Sequence, residues 1–417
     1  MKSINKKLFL SYILIILVVS SSCDAFSQMN FTEVNNISTQ VNLSTNQAVS
    51  PAPLSLDKWT YMQLDSTRDQ RAMGLAMEDL NADGKIDIVS GPWVYFNPGK
   101  NMSGKWVRKK LPVNLDILLK INVDDDKKPD LIAEDGDGNL FWLELNDEQG
   151  EDWYHRNIGK AGTGNHHLSS QGYITADIVK GNKQEIVIVG GEQPHGAIYY
   201  FMIPENPLTD KWPSVEIANS VYPEGVASAD FDGDGDIDLC CTDDVNSKVT
   251  WYENPGYGQG NWNRYYVGAV HGADRFSTAD LDGDGHADIL VTGANEDENG
   301  LYWFKSPVNP KSDKWGKNTL VNSGKKNSMN SLDVADMDND GDIDIISETH
   351  MGDLMTVVWE NDGKGNFKNH IVDKGKESHL GARVADLDGD GDLDIVSIGW
   401  IKYQYLHLWR NDAILHE

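Results

Sequence analysis

Acidic side chains recur at alternate positions of short, glycine-containing segments, and this spacing suits calcium. A calcium ion takes about six to eight oxygen ligands at about 2.3–2.6 Å, and carboxylates at alternate positions of a tight loop converge on one point. Four segments match the pattern D-x-D-x-D-G-x-x-D closely. Their predicted ligands are Asp230, Asp232, Asp234 and Asp238; Asp280, Asp282, Asp284 and Asp288; Asp336, Asp338, Asp340 and Asp344; and Asp386, Asp388, Asp390 and Asp394.

Three further segments depart from this pattern. One substitutes an amide for an acid, and its predicted ligands are Asp79, Asn81, Asp83 and Asp87. Another carries Lys127 where the glycine belongs, and its predicted ligands are Asn122, Asp124, Asp126 and Asp130. The segment 177–185 has Val179 and Gly181 at ligand positions, and we expect it to bind no ion. The sequence therefore predicts about four to six structural calcium ions.

The acidic segments belong to a repeat of about 50 residues, a period typical of propellers. Each copy opens with an aromatic residue and, five positions later, an aliphatic one, as in Trp212 and Ile217. A small-residue strand, the acidic loop, an apolar strand and an aromatic strand follow. Seven such copies predict an all-β, seven-bladed β-propeller of four-stranded blades. If the Trp59 strand is outermost in its blade, this N-terminal strand completes the last blade and closes the ring.

The strand order predicts which side chains share a face of the ring. With the strands of a blade labelled A to D from the axis outward, the acidic loop joins A to B. The D–A and B–C loops then form the opposite face, where six of the eleven histidines fall. Arg71, Trp93, Trp400 and Tyr403 are predicted on that face, as is His195. The candidate catalytic residues there are His166, His167, His271, His350, His379, Tyr222, Arg275 and Arg383.

Imidazole, guanidinium and phenol groups together suit β-elimination from a uronic acid. This reaction needs a cation or acid to neutralise the carboxylate, a base for the C5 proton and an acid for the departing oxygen. Arginine fits the first role, and histidine or tyrosine fits the other two. The chain has no G-x-S-x-G or H-E-x-x-H motif for a nucleophile or a catalytic zinc. A zinc ion held by several histidines is a further alternative, although no local spacing requires it.

These repeats resemble the FG-GAP/VCBS class of secreted calcium propellers over residues 55–412. Residues 359–363 (WENDG) and 377–382 (ESHLGA) resemble propellers of the aldos-2-ulose dehydratase type. The chain as a whole is similar to the propeller oligosaccharide dehydratases and lyases that marine flavobacteria use on ulvan. The resemblance implies a carbon–oxygen lyase acting on uronic-acid-containing glycans, with a site around His379 and its counterparts in other blades.

Two other functions remain open at this point. A non-catalytic glycan-binding or adhesion propeller would use the same aromatic and arginine face. A glycoside hydrolase would need two carboxylates across the central funnel. The eligible carboxylates are Glu192, Glu224, Asp243, Asp244 and Glu348.

The net charge and the N-terminal sequence limit which partners and which cellular compartment can be expected. The formal net charge of −29 argues against nucleic acid as a partner, and we expect a monomer that binds an anionic oligo- or polysaccharide. Residues 1–27 resemble a signal peptide with an apolar run at 8–19, so we expect secretion. Lipidation of Cys23 and anchoring to the outer membrane is the alternative. Residues 28–54 are predicted to form a flexible tether and 55–417 the propeller, with no transmembrane segment.

Overall fold

The computed structural model describes residues 52–414 except 125, 127, 163–168, 182, 192–195, 244–246, 296–297 and 325–326. The predicted signal peptide, nearly all of the predicted tether, and His166, His167 and His195 lie outside the described residues. Within them, regular structure consists of 27 strands and a 3-10 turn at Lys100–Met102. No described helix is long and apolar enough to span a membrane.

The strands form seven antiparallel, four-stranded blades in a ring, so the predicted seven-bladed β-propeller is confirmed. The first strand, β1 (Trp59–Asp65), belongs to the last blade. Blades one to three contain, in the order A to D, β2 (Leu75–Glu78), β3 (Asp87–Ser90), β4 (Trp93–Phe96) and β5 (Val107–Lys110); β6 (Asp116–Ile121), β7 (Asp130–Glu134), β8 (Asn139–Leu145) and β9 (Trp153–Lys160); and β10 (Gly172–Ala176), β11 (Glu185–Gly190), β12 (Gly196–Phe201) and the first part of β13 (Ser214–Ala229).

The remaining blades follow the same order. Blades four to seven contain the last part of β13, β14 (Asp238–Asp243), β15 (Lys248–Glu253) and β16 (Asn263–Ala269); β17 (Ala273–Ala279), β18 (Asp288–Gly293), β19 (Gly300–Lys305) and β20 (Gly316–Asn322); β21 (Met329–Ala335), β22 (Asp344–Thr349), β23 (Met355–Asn361) and β24 (Phe367–Lys374); and β25 (Leu380–Ala385), β26 (Asp394–Ile398), β27 (Leu406–Asn411) and β1.

The N-terminal strand closes the ring as predicted. Strand β1 pairs antiparallel with β27, with Trp59 opposite Asn411 and Tyr61 opposite Trp409. The segment before it also holds to the ring, because Leu54 donates its backbone N–H to the Asp338 carbonyl at 2.7 Å. Leu54, which ends the predicted tether, therefore lies against blade six. Closure removes the exposed edge that the last blade would otherwise present.

The hydrophobic core lies between neighbouring blades. One cluster, for example, joins Ile88 and Tyr95 of blade one to Val396 and Leu408 of blade seven, all of them fully buried. The B strands are buried on both faces, which explains why their sequences are apolar runs rather than alternating ones.

One predicted connection is a continuous strand. β13 runs through blade three as its D strand, bends at an irregularity between Val221 and Val226, and continues as the A strand of blade four. Tyr222, predicted on the face opposite the acidic loops, lies at this bend. The bend places it at the end of both blades that faces away from the acidic loops.

Candidate functional site

Four of the A–B loops bring three carboxylates together. In each loop, one oxygen from each of three aspartates lies within 4.8 Å of the others. The four groups are Asp230, Asp232 and Asp234; Asp280, Asp282 and Asp288; Asp336, Asp338 and Asp344; and Asp386, Asp388 and Asp394. These loops can each hold a metal ion.

Backbone hydrogen bonds shape each loop around its first aspartate. In blade five, the two oxygens of Asp280 accept the N–H groups of Asp284 at 3.1 Å and Gly285 at 2.8 Å. Gly285 has a φ of 87°, a left-handed conformation that glycine adopts without steric cost. These hydrogen bonds curl the loop around Asp280, and glycine at the sixth position permits the turn.

The aspartate at the ninth position of each complete loop joins the loop to the aromatic C strand. In blade six, Asp344 accepts the N–H of Met337 at 2.9 Å through one oxygen and that of Asn361 at 2.8 Å through the other. In blade three, Glu185 at the same position accepts the N–H groups of Ile178 and Val179, which both lie in the A–B connection. The acid at the ninth position thus shapes its loop even where the other ligands are missing.

The electrostatics of these loops fit a cation. Burial, followed by repulsion from Asp388 and Asp392, raises the pKa of the Asp394 carboxyl to about 9. In blade five, the Asp282 Oδ1 is buried and accepts no hydrogen bond from any described residue. Clustered carboxylates with an unused buried oxygen are the ligand set that calcium prefers.

Other predicted ligands do not join these clusters. Among the described residues, the loops of Asp79, Asn81, Asp83 and Asp87 and of Asn122, Asp124, Asp126 and Asp130 bring no three acids together. The Asp83 carboxylate is instead paired with Lys85 at 2.8 Å. Four further aspartates of the complete loops also lie outside the three-acid groups: Asp238, Asp284, Asp340 and Asp390.

A lysine competes with any cation in blade five. The Lys305 ammonium contacts the Asp282 carboxylate and donates to Asp284 at 2.8 Å. Replacing it, as Lys305→Met, removes this positive charge but keeps the aliphatic stem. We expect calcium to bind this loop about fivefold more tightly, because a partly exposed ion pair is worth up to about 1 kcal/mol. Calorimetric titration with calcium measures the effect.

The matched control is Lys317→Met in the same blade. Lys317 lies 3.5 Å from Glu298 on the opposite face and does not contact the acidic loop. This control should bind calcium as the unaltered protein does. Equal or weaker calcium binding by Lys305→Met would contradict the competition.

A cleft of about 350 Å³ opens on the face opposite the acidic loops. Blades three to seven all contribute to it. Its ionisable and aromatic lining residues are Tyr222, Glu224, Asp274, His350, His379 and Trp400. Three of the predicted catalytic residues, Tyr222, His350 and His379, are therefore brought together.

Two histidines and an indole form a contiguous row in the cleft. The rings of His350 and His379 are 4.5 Å apart and nearly perpendicular, at 78°. The His379 ring lies 5.4 Å from that of Trp400. Burial lowers the pKa of His350 below its usual 6.5, although Asp274 opposes the shift. His350 is therefore a neutral imidazole at neutral pH.

The pKa of Tyr222 is shifted in the opposite direction, upward. Burial, together with the charges of Glu224 and Asp274, raises the pKa of its phenol to about 12. The phenol therefore keeps its proton at any physiological pH. A proton donor and a proton acceptor thus share one cleft.

Arg275 is engaged by the protein. Its guanidinium pairs with Asp274 at 2.6 Å and donates to the Gln171 Oε1 at 2.6 Å. Asp274 is also bound by the Asn330 amide at 2.6 Å. Burial raises the pKa of the Asp274 carboxyl, whereas Arg275 lowers it. Sequence reasoning missed Asp274, whose position beside Arg275 was the available signal.

Four other predicted residues do not themselves line the cleft. The described residues that line it do not include Arg275, Arg383 or His271. Arg383 lies on an A strand, 3.7 Å from Asp333 of the neighbouring blade. His271 is exposed, and its backbone N–H donates to Glu298. Trp93 is buried and likewise does not line the cleft.

The histidine face does not assemble a metal cluster in the described residues. There, groups of three acidic, histidine or cysteine ligands occur only in the four acidic loops. Of the carboxylates considered for hydrolysis, Glu224 lines the cleft, whereas Glu348 is buried and accepts hydrogen bonds from Ser397 and Thr356. Glu192 and Asp244 lie outside the described residues, as does the Asp243 side chain.

Together, the fold and the loops define a seven-bladed β-propeller with acidic A–B loops that can hold metal ions. Residues 230–291, 280–347 and 351–397 match the FG-GAP-like repeat. The predicted FG-GAP repeat is thus confirmed for these segments, while the resemblance to sugar dehydratases and ulvan lyases stays a prediction. No curated protein sequence matches the chain.

One of two similar solved structures reaches a TM-score that indicates a shared fold. The crystal structure of BBS1N in complex with ARL6DN, soaked with lead, has a TM-score of 0.51 and 11% identity, covering 87% of this chain and 98% of that chain. The mercury-soaked form has a TM-score of 0.49 and 12% identity, covering 87% and 99%. At such low identity, the similarity to the lead-soaked structure shows the fold alone.

Proposed function

We propose that this protein is a carbohydrate-active β-elimination enzyme, an oligosaccharide dehydratase or polysaccharide lyase. Its substrates would be uronic-acid-containing glycans such as ulvan oligosaccharides. The observation that carries the proposal is the cleft that brings Tyr222, His350 and His379 together, where the pKa is raised for Tyr222 and lowered for His350. Elimination at neutral pH needs such an acid and such a base.

The roles follow from the protonation states. His350, as the neutral imidazole, takes the C5 proton, and the electrons of that bond form the new C4–C5 double bond. The C4–O bond breaks, and Tyr222 protonates the departing oxygen, which leaves as an alcohol or as water. His379 positions the base through its ring contact with His350. Trp400 lies beside the reacting groups and carries the Arg71 guanidinium over its indole ring.

The substrate carboxylate needs a partner other than Arg275. Asp274 compensates the Arg275 charge, and the cleft lining itself carries the carboxylates of Asp274 and Glu224. No lysine or arginine is among the described residues that line the cleft, so the substrate carboxylate would pair with a cation beyond the lining, such as Arg71, which lies over Trp400.

We also propose that the four acidic loops bind calcium as a structural ion. The carboxylates named above would hold it, and calcium would offset their mutual repulsion. The resemblance of residues 1–27 to a signal peptide supports export. These features fit a secreted protein that acts on extracellular glycans.

The decisive experiment incubates the calcium-loaded protein with oligosaccharides that contain uronic acids, ulvan fragments included. Elimination creates an unsaturated uronate, which is followed by its ultraviolet absorbance. Mass spectrometry then distinguishes loss of water from chain cleavage. We expect absorbance to rise with at least one glycan. Hydrolysed products without a double bond would instead indicate a glycosidase.

A glycan-binding propeller is the second candidate. The exposed Arg71, which lies over Trp400 at the rim, favours this function. Such an arginine can bind a sugar in a protein that catalyses no reaction. Saturable binding of a glycan without any product, across the same panel, would support this function and exclude elimination.

A further inference from the structure

Arg71 is held in one orientation at the rim of the cleft. Its guanidinium lies 4.4 Å from the Trp400 ring and 5.6 Å from the Tyr403 ring. Its Nε donates to the Trp400 carbonyl at 3.0 Å. Arg71 comes from the loop that enters blade one, whereas both aromatic residues belong to the B–C loop of blade seven. The contact therefore joins the two blades where the ring closes.

The loop beneath Arg71 is itself fixed. The buried Glu377 carboxylate accepts the backbone N–H groups of Trp400 at 2.9 Å, Ile401 at 2.6 Å and Lys402 at 2.6 Å. Such charge-assisted bonds order the loop before a ligand arrives. An arginine stacked on a rigid loop loses less side-chain freedom on binding than a mobile surface arginine does.

The outer edge of the Arg71 guanidinium is available. Its two Nη groups have no hydrogen-bond or ion-pair partner among the described residues, and the side chain is exposed. This differs from Arg275 and Arg383, which face Asp274 and Asp333. The Nη groups carry planar donors that match two oxygens of a carboxylate or sulfate.

The position of Arg71 links this edge to the cleft. Trp400 contacts Arg71 and also lies 5.4 Å from the His379 ring. A single indole thus separates the arginine from the histidine row. The described residues that line the cleft include no arginine or lysine, so Arg71 offers an anion the guanidinium that the lining lacks.

We propose that Arg71, seated on Trp400 and Tyr403, is the binding site for the oxyanion group of an acidic sugar. The inference rests on the proposed function in assigning an acidic glycan to the cleft. It adds that Arg71 is the residue that recognises the negatively charged group of the sugar. The group it binds is a carboxylate of the sugar or a sulfate ester on it.

The test titrates ¹⁵N-labelled full-length protein with sodium sulfate and, separately, with sodium D-glucuronate. Ionic strength is held constant with sodium chloride. The side-chain N–H resonances of Arg71 and Trp400 report binding. We expect saturable shifts with at least one anion, and about tenfold or greater weakening in Arg71→Ala and Arg71→Lys. The stronger of the two responses identifies the preferred anion.

The matched control is Lys402→Ala, which removes a cation from the same loop but keeps the backbone that Glu377 binds. It should leave anion binding within about twofold of the unaltered protein. Arg71 resonances that ignore both anions, or equal anion binding by Arg71→Ala, would overturn the inference. Because this readout needs no turnover, anion binding without any elimination product would refute the proposed reaction alone.

Discussion

Tyr222→Phe should lower turnover about 10²- to 10⁴-fold while leaving substrate binding nearly unchanged. The substitution keeps the aromatic ring and removes only the hydroxyl that donates the proton. The raised pKa of Tyr222, about 12, means that this group is a donor throughout the accessible pH range. The measurement is the rate of double-bond formation, compared at saturating and at low substrate.

The pH profile supplies a second readout for the same cleft. His350 must be neutral to accept a proton, and burial lowers its pKa below 6.5. Activity should therefore persist below the usual pKa of histidine and decline only as pH falls through the lowered value. His350→Ala should remove this acidic limb together with most of the turnover.

Tyr266→Phe is the matched control, because Tyr266 is 61% exposed on the outer strand of blade four. It should retain full activity. A Tyr222→Phe protein with normal turnover would remove the phenol from the mechanism. A large fall in its melting temperature would instead assign Tyr222 a packing role.

The fold was predictable because the repeat has its own local signals. The aromatic residue at the start of each copy and the acidic loop between the first two strands place every strand of a blade. Closure followed from counting, since Trp59 begins an outermost strand that the last blade lacks. The pairing of β1 with β27 confirms that logic.

The site was less predictable, because its contacts join residues far apart in sequence. Arg275 donates to Gln171, which lies in another blade, and its partner Asp274 is in turn bound by Asn330. No sequence pattern shows which arginine finds a carboxylate in the ring. Arg275, a candidate catalytic residue, is therefore paired within the protein by contacts that its sequence neighbourhood does not reveal.

The repeat pattern also does not predict that the blades contribute unequally to the cleft. His271 and His350 both belong to loops of the same face, but only His350 lines the cleft. The repeat predicts equivalent positions in all blades, whereas the lengths and contacts of individual loops decide which side chain turns inward. Trp400 faces the cleft because Glu377 fixes its loop.

Removing calcium should destabilise the protein more than any single substitution considered above. Each loop that binds calcium only in the folded state adds about 2.7 kcal/mol at a concentration one hundred times its dissociation constant. Four independent loops would together add about 11 kcal/mol. Thermal unfolding with calcium and with a chelator measures the difference, and calorimetric titration gives the number of ions.

The number of ions distinguishes the loops that assemble three carboxylates from those that only resemble the sequence pattern. We expect four ions, and three for Asp282→Asn, which keeps the shape of the side chain but removes a charged ligand of the blade-five loop. Asp69→Asn, at an exposed acid that lies 3.8 Å from Lys110, should still bind four. Six ions would show that the loops of Asp79 and Asn122 rearrange around the metal. The melting temperature could instead be the same with calcium and with chelator. The backbone hydrogen bonds of the aspartates at the ninth position would then be enough to stabilise the blades without calcium.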